Sequence, residues 1–432
     1  MPFRGITFNT GKVALDSAVA PPYDVLSAAD AGQFQARSEY NIGNVDFRSP
    51  EEGDGRYAAA ARLMDEWLER GILLRDEKPA IYLIECEFRD GNGRTVRRKS
   101  FTALLRLEDL GTGTVFPHEK TFPKQKQDRL KLLRATNAHF NPVFALYSDP
   151  DGEAKAVLNS VVASRPAELS VEDFDGVAHR LWRITREKSL TRLKRVLHNS
   201  NVFIADGHHR YETALNYAKE MRSRCESFQG DEAFNYVMMA FVQMEDEGLK
   251  ILPAHRMLRG IPGYSESKVM ERLRENFSIE SAPREEMLTS LNGRSTGDHT
   301  FGLQIGGACY RLKLKDDADL ASAMPGMSRR WRNLDVSIAQ SLIINPLLGG
   351  EEKDQFGRIN YEVDVDKVSR KVSTGEYQLA LFIEPTRTSQ LIDVTTAREL
   401  MPHKSTYFHP KMLTGFIMNR FSPDERVGGA EK

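Results

Sequence analysis

The stretch Val202–Ala218, "VFIADGHHRYETALNYA", passes from an apolar run to a helical pattern with only Asp206 and Gly207 between them. The short apolar run reads as a buried strand, and Tyr211, Ala214, Leu215 and Ala218 recur at i, i+3, i+4 and i+7, one face of a helix starting near His208. A strand feeding straight into a helix commits this part of the chain to mixed layers of sheet and helix. The corner also carries chemistry. The first turn of a helix presents N–H groups that lack an intrahelical partner and carry partial positive charge. Gly207 lets a bound group approach the backbone, Arg210 has the fork that grips phosphate oxygens, and His208 and His209 add donors. These residues predict a phosphate cradle. Asp206 repels phosphate unless a divalent cation such as Mg²⁺ stands between them, so it is the expected metal ligand. The plainer alternative has Asp206 capping the helix while the histidines hydrogen-bond a loop. A transition-metal site on adjacent histidines is disfavoured, because they point in different directions.

Other segments supply the rest of the fold. The pattern of Ala60, Leu63, Met64, Trp67 and Leu68 predicts a helix that Gly71 stops. "AIYLIECEFRDGNGRTVRRKSFTALLRL" reads as a hairpin turning at Asp90-Gly91-Asn92-Gly93. A basic helix in "KQDRLKLLRATNAHF" and buried strands in "PVFALYS", "VAHRLWRI" and "YVMMAFVQM" follow the same logic, with a helix in "SLTRLKRVLHN". Pro150–Gly176 has weak periodicity and is expected to be a peripheral excursion, and a second α/β region is expected from about Ile261. Strands and helices alternate without the regularity of a doubly wound sheet, so the expected class is mixed α/β, or α+β.

Composition narrows the functional classes. A net charge of −1 gives no global field for nucleic acid or an anionic membrane. Cys86, Cys225 and Cys309 lack the paired spacing of a zinc site or disulfide scaffold. No apolar run approaches bilayer length, and the N-terminus lacks a signal peptide's apolar core, so a cytoplasmic protein is expected.

Two further groups are candidates for the same chemistry. "FPHEKTFPKQKQDRL" gathers His118, Glu119, Lys120, Lys124, Lys126, Asp128 and Arg129. Phosphoryl transfer to a hydroxyl needs a carboxylate to take or orient the proton and cations to spread charge. Glu119 is the candidate base, His118 stands beside it, and Lys124 and Arg129 are candidate phosphate clamps; a solvated charged loop is the alternative. "ELMPHKSTYFHPKMLTG" offers Lys404, Ser405, Thr406, Tyr407, His409 and Lys411 as a lip for an anion or substrate. In "PPYDVLS" Tyr23 and Asp24 follow two prolines, where an Asx-turn is the simpler reading. His179, within a strand, is expected to be a buried imidazole satisfied by backbone, with His255 a similar case.

"ADGHHRYETA" resembles the nucleotide-binding signature of the ParB/sulfiredoxin superfamily, and its Asp-Gly-His-His-Arg form is most similar to the free serine kinases, which phosphorylate the hydroxyl of L-serine. "PPYDV", "PHEKT", "HRLW", "IADGHHRYETA" and "MPHKSTYFHPK" together resemble a prokaryotic family of unknown function, over about residues 2–421. The resemblance implies a ParB/sulfiredoxin-like nucleotide core over residues 1–260 with insertions, and a C-terminal α/β region over 261–432 whose last loop returns to the site. It implies ATP or ADP with Mg²⁺, a small-molecule substrate, and a phosphotransferase acting on a small hydroxylated metabolite, serine or phosphoserine first. A phosphoester hydrolase at the same site and a ParB-like nucleotide switch are the alternatives. The oligomeric state is left open.

Overall fold

The computed structural model describes residues 1–49, 52–91, 93–291, 297–350, 355 and 357–428, without the side chain of Lys124. The chain divides into two compact units. The first comprises Met1–Pro117, Thr121–Lys250 and Pro410–Lys432; the second comprises His118–Lys120 and Ile251–His409. The expected division at residue 260 therefore falls at 250, and residues from 410 onward join the first unit. Backbone pairing explains that return: Asn419 and Arg420 pair with His139 and Ala138, and bridges join Met418 to Ile6 and Thr414 to Ala20.

An eight-stranded sheet forms the centre of the first unit. Its spatial order is Val115–Phe116, Val202–Asp206, Val143–Tyr147, Tyr236–Gln243, Thr95–Arg106, Ile81–Arg89, Ala178–Ile184 and Leu169–Glu172. Parallel and antiparallel neighbours mix: Val202–Asp206 runs parallel to Val115–Phe116 but antiparallel to Val143–Tyr147. Side chains alternate between two cores, as the twofold repeat of a strand requires. Tyr82, Ile84, Cys86 and Phe88 enter one, Ile81 and Leu83 the other. Every residue of Tyr236–Gln243 is buried, which is why that stretch reads as an unbroken apolar run. The mixed α/β class is as expected.

Local expectations fare unevenly. The first predicted helix spans Gly55–Glu69, and Gly71 stops it at φ +64°. The hairpin pairs Ile81–Arg89 with Thr95–Arg106, although Asn92 of its turn lies outside the described residues. The basic helix spans Pro123–Thr136 and ends on Asn137 in the left-handed conformation, a common helix stop. Pro150–Gly176 is not a loose excursion. It contains the helix Glu153–Ser164, which buries Ala154, Val157 and Leu158, and the strand Leu169–Glu172, which edges the main sheet. Three small or branched apolar residues at helical spacing suffice to dock a short helix, a weaker signal than the long stripes elsewhere.

The second unit is built on a six-stranded sheet in the order Phe277–Ser281, Ala308–Leu314, Thr300–Ile305, Leu379–Phe382, His255–Leu258 and Ile359–Glu362. All its neighbouring pairs are antiparallel. Val368 and Val372 of the helix Val365–Ser373 pack with Met257, Met287, Ala380 and Phe382 in its core. Among the described residues, no helix is long and apolar enough to cross a membrane.

Candidate functional site

The strand Val202–Asp206 gives way to the helix His208–Arg224 through Gly207, whose φ of +91° is left-handed. The left-handed conformation favours glycine, and a Cβ at this position would lie 2.8 Å from Arg210 Cζ and displace the guanidinium. The predicted helix face is buried: Tyr211 and Ala218 are 0 % exposed, Ala214 3 % and Leu215 7 %.

Arg210 does not stand ready as a phosphate clamp. Its guanidinium folds back over Gly207: Nη1 donates to Asn141 Oδ1 and the Pro142 carbonyl, and Nη2 lies 2.7 Å from Asp206 Oδ2. With the side chain only 10 % exposed, these acceptors satisfy the guanidinium where water does not reach it. The other Asp206 oxygen accepts from Lys411 Nζ at 2.9 Å. Asp206 is thus flanked by two cations, which does not fit the expected role of metal ligand. Among the described residues, no group of three or more His, Cys, Asp or Glu side chains is placed to hold a metal ion. The corner still carries two positive side chains against one carboxylate, at the positive end of a seventeen-residue helix.

His209 is a tether. Its Nε2 accepts from the Phe122 N–H at 3.0 Å, and the two rings lie 6.1 Å apart. Glu212, one turn later, accepts from Thr121 Oγ1 and Lys126 Nζ, which holds the start of the basic helix against the same helix. His208 is buried. Lys124 occupies the first turn of the basic helix, its side chain outside the described set.

Arg129 is likewise internal rather than a clamp. It donates to the Asp46 carbonyl and carboxylate at 2.8 and 3.0 Å and to Asp128 at 2.6 Å, and it lies 4.2 Å from the centre of the Tyr23 ring. Burial raises the Asp46 carboxyl above its ordinary range even though Arg129 opposes the shift. Tyr23 is therefore part of an ion-paired core rather than a freely placed cleft residue.

In the second unit, the "PHEK" segment and the "PHKST" segment come together. His403 Nδ1 lies 2.7 Å from Glu119 Oε1, and the Lys404 N–H donates to the same oxygen at 3.3 Å. His118 Nε2 is 2.9 Å from Thr406 Oγ1, and its carbonyl accepts from the Met401 N–H. Lys404 adopts φ +55°, and its carbonyl accepts from the buried Arg256 at 3.3 Å. Ser405 Oγ donates to the Pro402 carbonyl, closing the turn. His403 escaped sequence reasoning, although it sits beside Lys404 in a motif already singled out for its donors. The stretch read as one loop is divided: Lys404 and Ser405 belong to the second unit and Lys411 to the first.

Sequence reasoning also missed a buried trio in the first unit. His179 Nε2 lies 2.7 Å from Asp173 Oδ2, and its Nδ1 lies 3.3 Å from Cys86 Sγ. Side chains, not backbone, satisfy this imidazole. Burial alone would depress its pKa, but the Cys86 thiolate and the Asp173 carboxylate lift it to about 9. Burial would raise the Cys86 thiol, but the charges and hydrogen bonds of His179 and Arg98 together outweigh it and bring the thiol below its ordinary value.

A polar cleft of about 360 Å³ in the second unit is lined by Asp298, His299, Arg330, Asp335, Glu384 and Arg387, among others. None of the residues expected from sequence lines it. Its groups pair with one another, as in His299–Asp335 at 2.7 Å.

Fold and corner thus define an α/β protein with a cationic strand-to-helix junction. The chain belongs to the family described as "Protein of unknown function (DUF1015)", which it matches over residues 1–337. No curated protein matches it. Among solved structures it is similar to a conserved hypothetical protein from Pyrococcus furiosus, at 12% identity and TM-score 0.36, covering 72% of this chain and 93% of that one. It is also similar to a free serine kinase in complex with AMP, at 13% identity and TM-score 0.36, covering 71% and 86%. A third is SbnI with a C-terminal truncation from Staphylococcus aureus, at 10% identity and TM-score 0.34, covering 72% and 85%. Scores this low do not carry those proteins' activities across.

Proposed function

We propose that the protein is a nucleotide-dependent phosphotransferase with a ParB/sulfiredoxin-like core, acting on a small hydroxylated metabolite. One observation carries the reading: the Gly207 corner places Arg210 and Lys411 against a single carboxylate, Asp206, where a helix begins. A surplus positive charge beside backbone donors favours a phosphate group over a neutral or cationic ligand. ATP or ADP is the proposed nucleotide. Gly207, His208 and His209 supply the backbone of the cradle, and Lys411, freed from Asp206, supplies its mobile cation. Within the second unit, Glu119 is held by His403 and the Lys404 amide. Asp206 serves as a counterion in this reading, and Mg²⁺ is a variable of the test.

Thermal denaturation of the full chain with AMP, ADP and ATP, with and without Mg²⁺, tests the cradle. A ligand at about 100 times its Kd stabilises by about 2.7 kcal/mol, a readily measured rise in Tm. Lys411→Gln should weaken the rise. Phosphate transfer from ATP to L-serine, as the first acceptor, tests the chemistry. Absence of any nucleotide response in the unaltered protein overturns the reading.

A further inference from the structure

Within the first unit a cavity of about 60 Å³ is lined by Tyr23, Asp46, Arg129, His139, Arg210 and Thr213, with apolar walls that include Leu132, Phe140, Val143 and Val237. Four of these residues carry a buried polar atom without a hydrogen-bond partner: Tyr23 Oη, His139 Nδ1, Arg210 Nε and Thr213 Oγ1. Each orphaned polar group is costly when it is left unsatisfied. Four around one cavity are far more than chance imperfections of packing explain, since native interiors satisfy nearly all such groups. Apolar walls with a few convergent polar atoms are the usual make-up of a small-molecule site.

The chemistry of the lining selects the ligand. The Arg210 Nε–H can only donate. Tyr23 and Thr213 hydroxyls donate or accept, and an imidazole nitrogen accepts when its proton sits on the other nitrogen. The partner must therefore offer acceptors and donors together, as hydroxyl groups do. An anion would meet the Asp46 carboxylate, and a cation would meet the Arg129 and Arg210 guanidiniums. Those guanidiniums are already balanced by Asp46, Asp128 and Asp206. At about 10–15 Å³ for each water-sized occupant, the space holds roughly four to six non-hydrogen atoms.

We infer that this cavity is a binding site for a small neutral polyhydroxylated molecule, glycerol-sized or smaller, that bonds to Tyr23, His139, Arg210 and Thr213. The site shares Arg210 with the nucleotide reading, but Tyr23, His139 and Thr213 have no part in the phosphate cradle, so a substitution at Thr213 separates the two.

Saturation-transfer NMR on the full chain with glycerol, ethylene glycol and 1-propanol tests it. Glycerol or ethylene glycol should give saturable transfer, 1-propanol at least tenfold less, and Thr213→Val should weaken the polyol signal about tenfold while leaving any nucleotide response intact. Unsaturable transfer, or transfer indifferent to Thr213→Val in a folded variant, overturns the inference. Should that variant fail to fold, a crystal of the unaltered protein soaked in glycerol decides: glycerol bonded to the four atoms supports the site, and water alone on them refutes it.

Discussion

Lys411 Nζ lies 2.9 Å from Asp206 Oδ1, joining residues 205 positions apart in the chain. Both side chains are largely withdrawn from solvent, so the pair is worth more than a surface salt bridge. Lys411→Gln should cost about 1–3 kcal/mol, because it leaves a carboxylate short of a partner. Urea unfolding of Lys411→Gln, Asp206→Asn and the double variant would check this through their coupling. Additive effects would show that the pair contributes nothing.

Gly207→Ala tests the corner itself. The added methyl meets a φ of +91° and the Arg210 guanidinium at 2.8–2.9 Å. A loss of about 1–3 kcal/mol is expected. Placing the same substitution at Gly32, where a Cβ meets nothing within 4 Å, provides the control for the helix backbone. Equal or greater stability of Gly207→Ala in chemical denaturation would contradict the steric account.

The Cys86–His179–Asp173 trio should behave as one unit. His179→Ala strands the Asp173 side chain, which is 4 % exposed, and leaves the thiol with Arg98 as its remaining charged partner. Breaking a buried pair by deleting one partner costs about 3–5 kcal/mol. The same change should also return the Cys86 thiol towards its ordinary titration range, which thiolate absorbance in the ultraviolet would follow. A variant with unaltered stability and an unaltered thiol would refute the coupling.

His139 gives the protein a pH dependence of defined sign. Burial lowers its pKa from 6.5 to about 4. The folded state therefore holds the ring neutral while the unfolded chain binds a proton below 6.5, so stability falls as pH drops from about 6.5 to about 4 and changes no further below that. At about 1.4 kcal/mol for each pH unit of separation, the loss is at most about 3.5 kcal/mol. The stability difference between the unaltered protein and His139→Phe, measured by urea unfolding, should shrink over that interval. A pH-independent difference would show that the ring does not titrate as burial requires.

Local order was legible where a residue's neighbours in sequence are also its neighbours in space. The Tyr211, Ala214, Leu215 and Ala218 face, the Gly71 stop and the apolar strand Tyr236–Gln243 all follow from short-range periodicity. Partners distant in the chain were not legible. Arg129 and Arg210 look like clamps as isolated residue types, yet their acceptors Asp46 and Asn141 lie 83 and 69 residues away. His179 finds Cys86 across 93 residues. The short helix Glu153–Ser164 was passed over because a brief apolar stripe competes poorly with the polar residues around it. The pairing of Glu119 with His403 was hidden in the same way, by 285 positions of separation between Glu119 and Lys404.

The return of Asn419 and Arg420 to pair with His139 and Ala138 sets an order on biosynthesis. The first unit needs a strand that leaves the ribosome only after Ile251–His409 has been made. Most of the second unit is thus available to fold while the first still waits for its closing segment. Until that segment arrives, the backbone of Ala138–His139 stays an open edge, the interval in which the nascent chain is most exposed to wrong pairing.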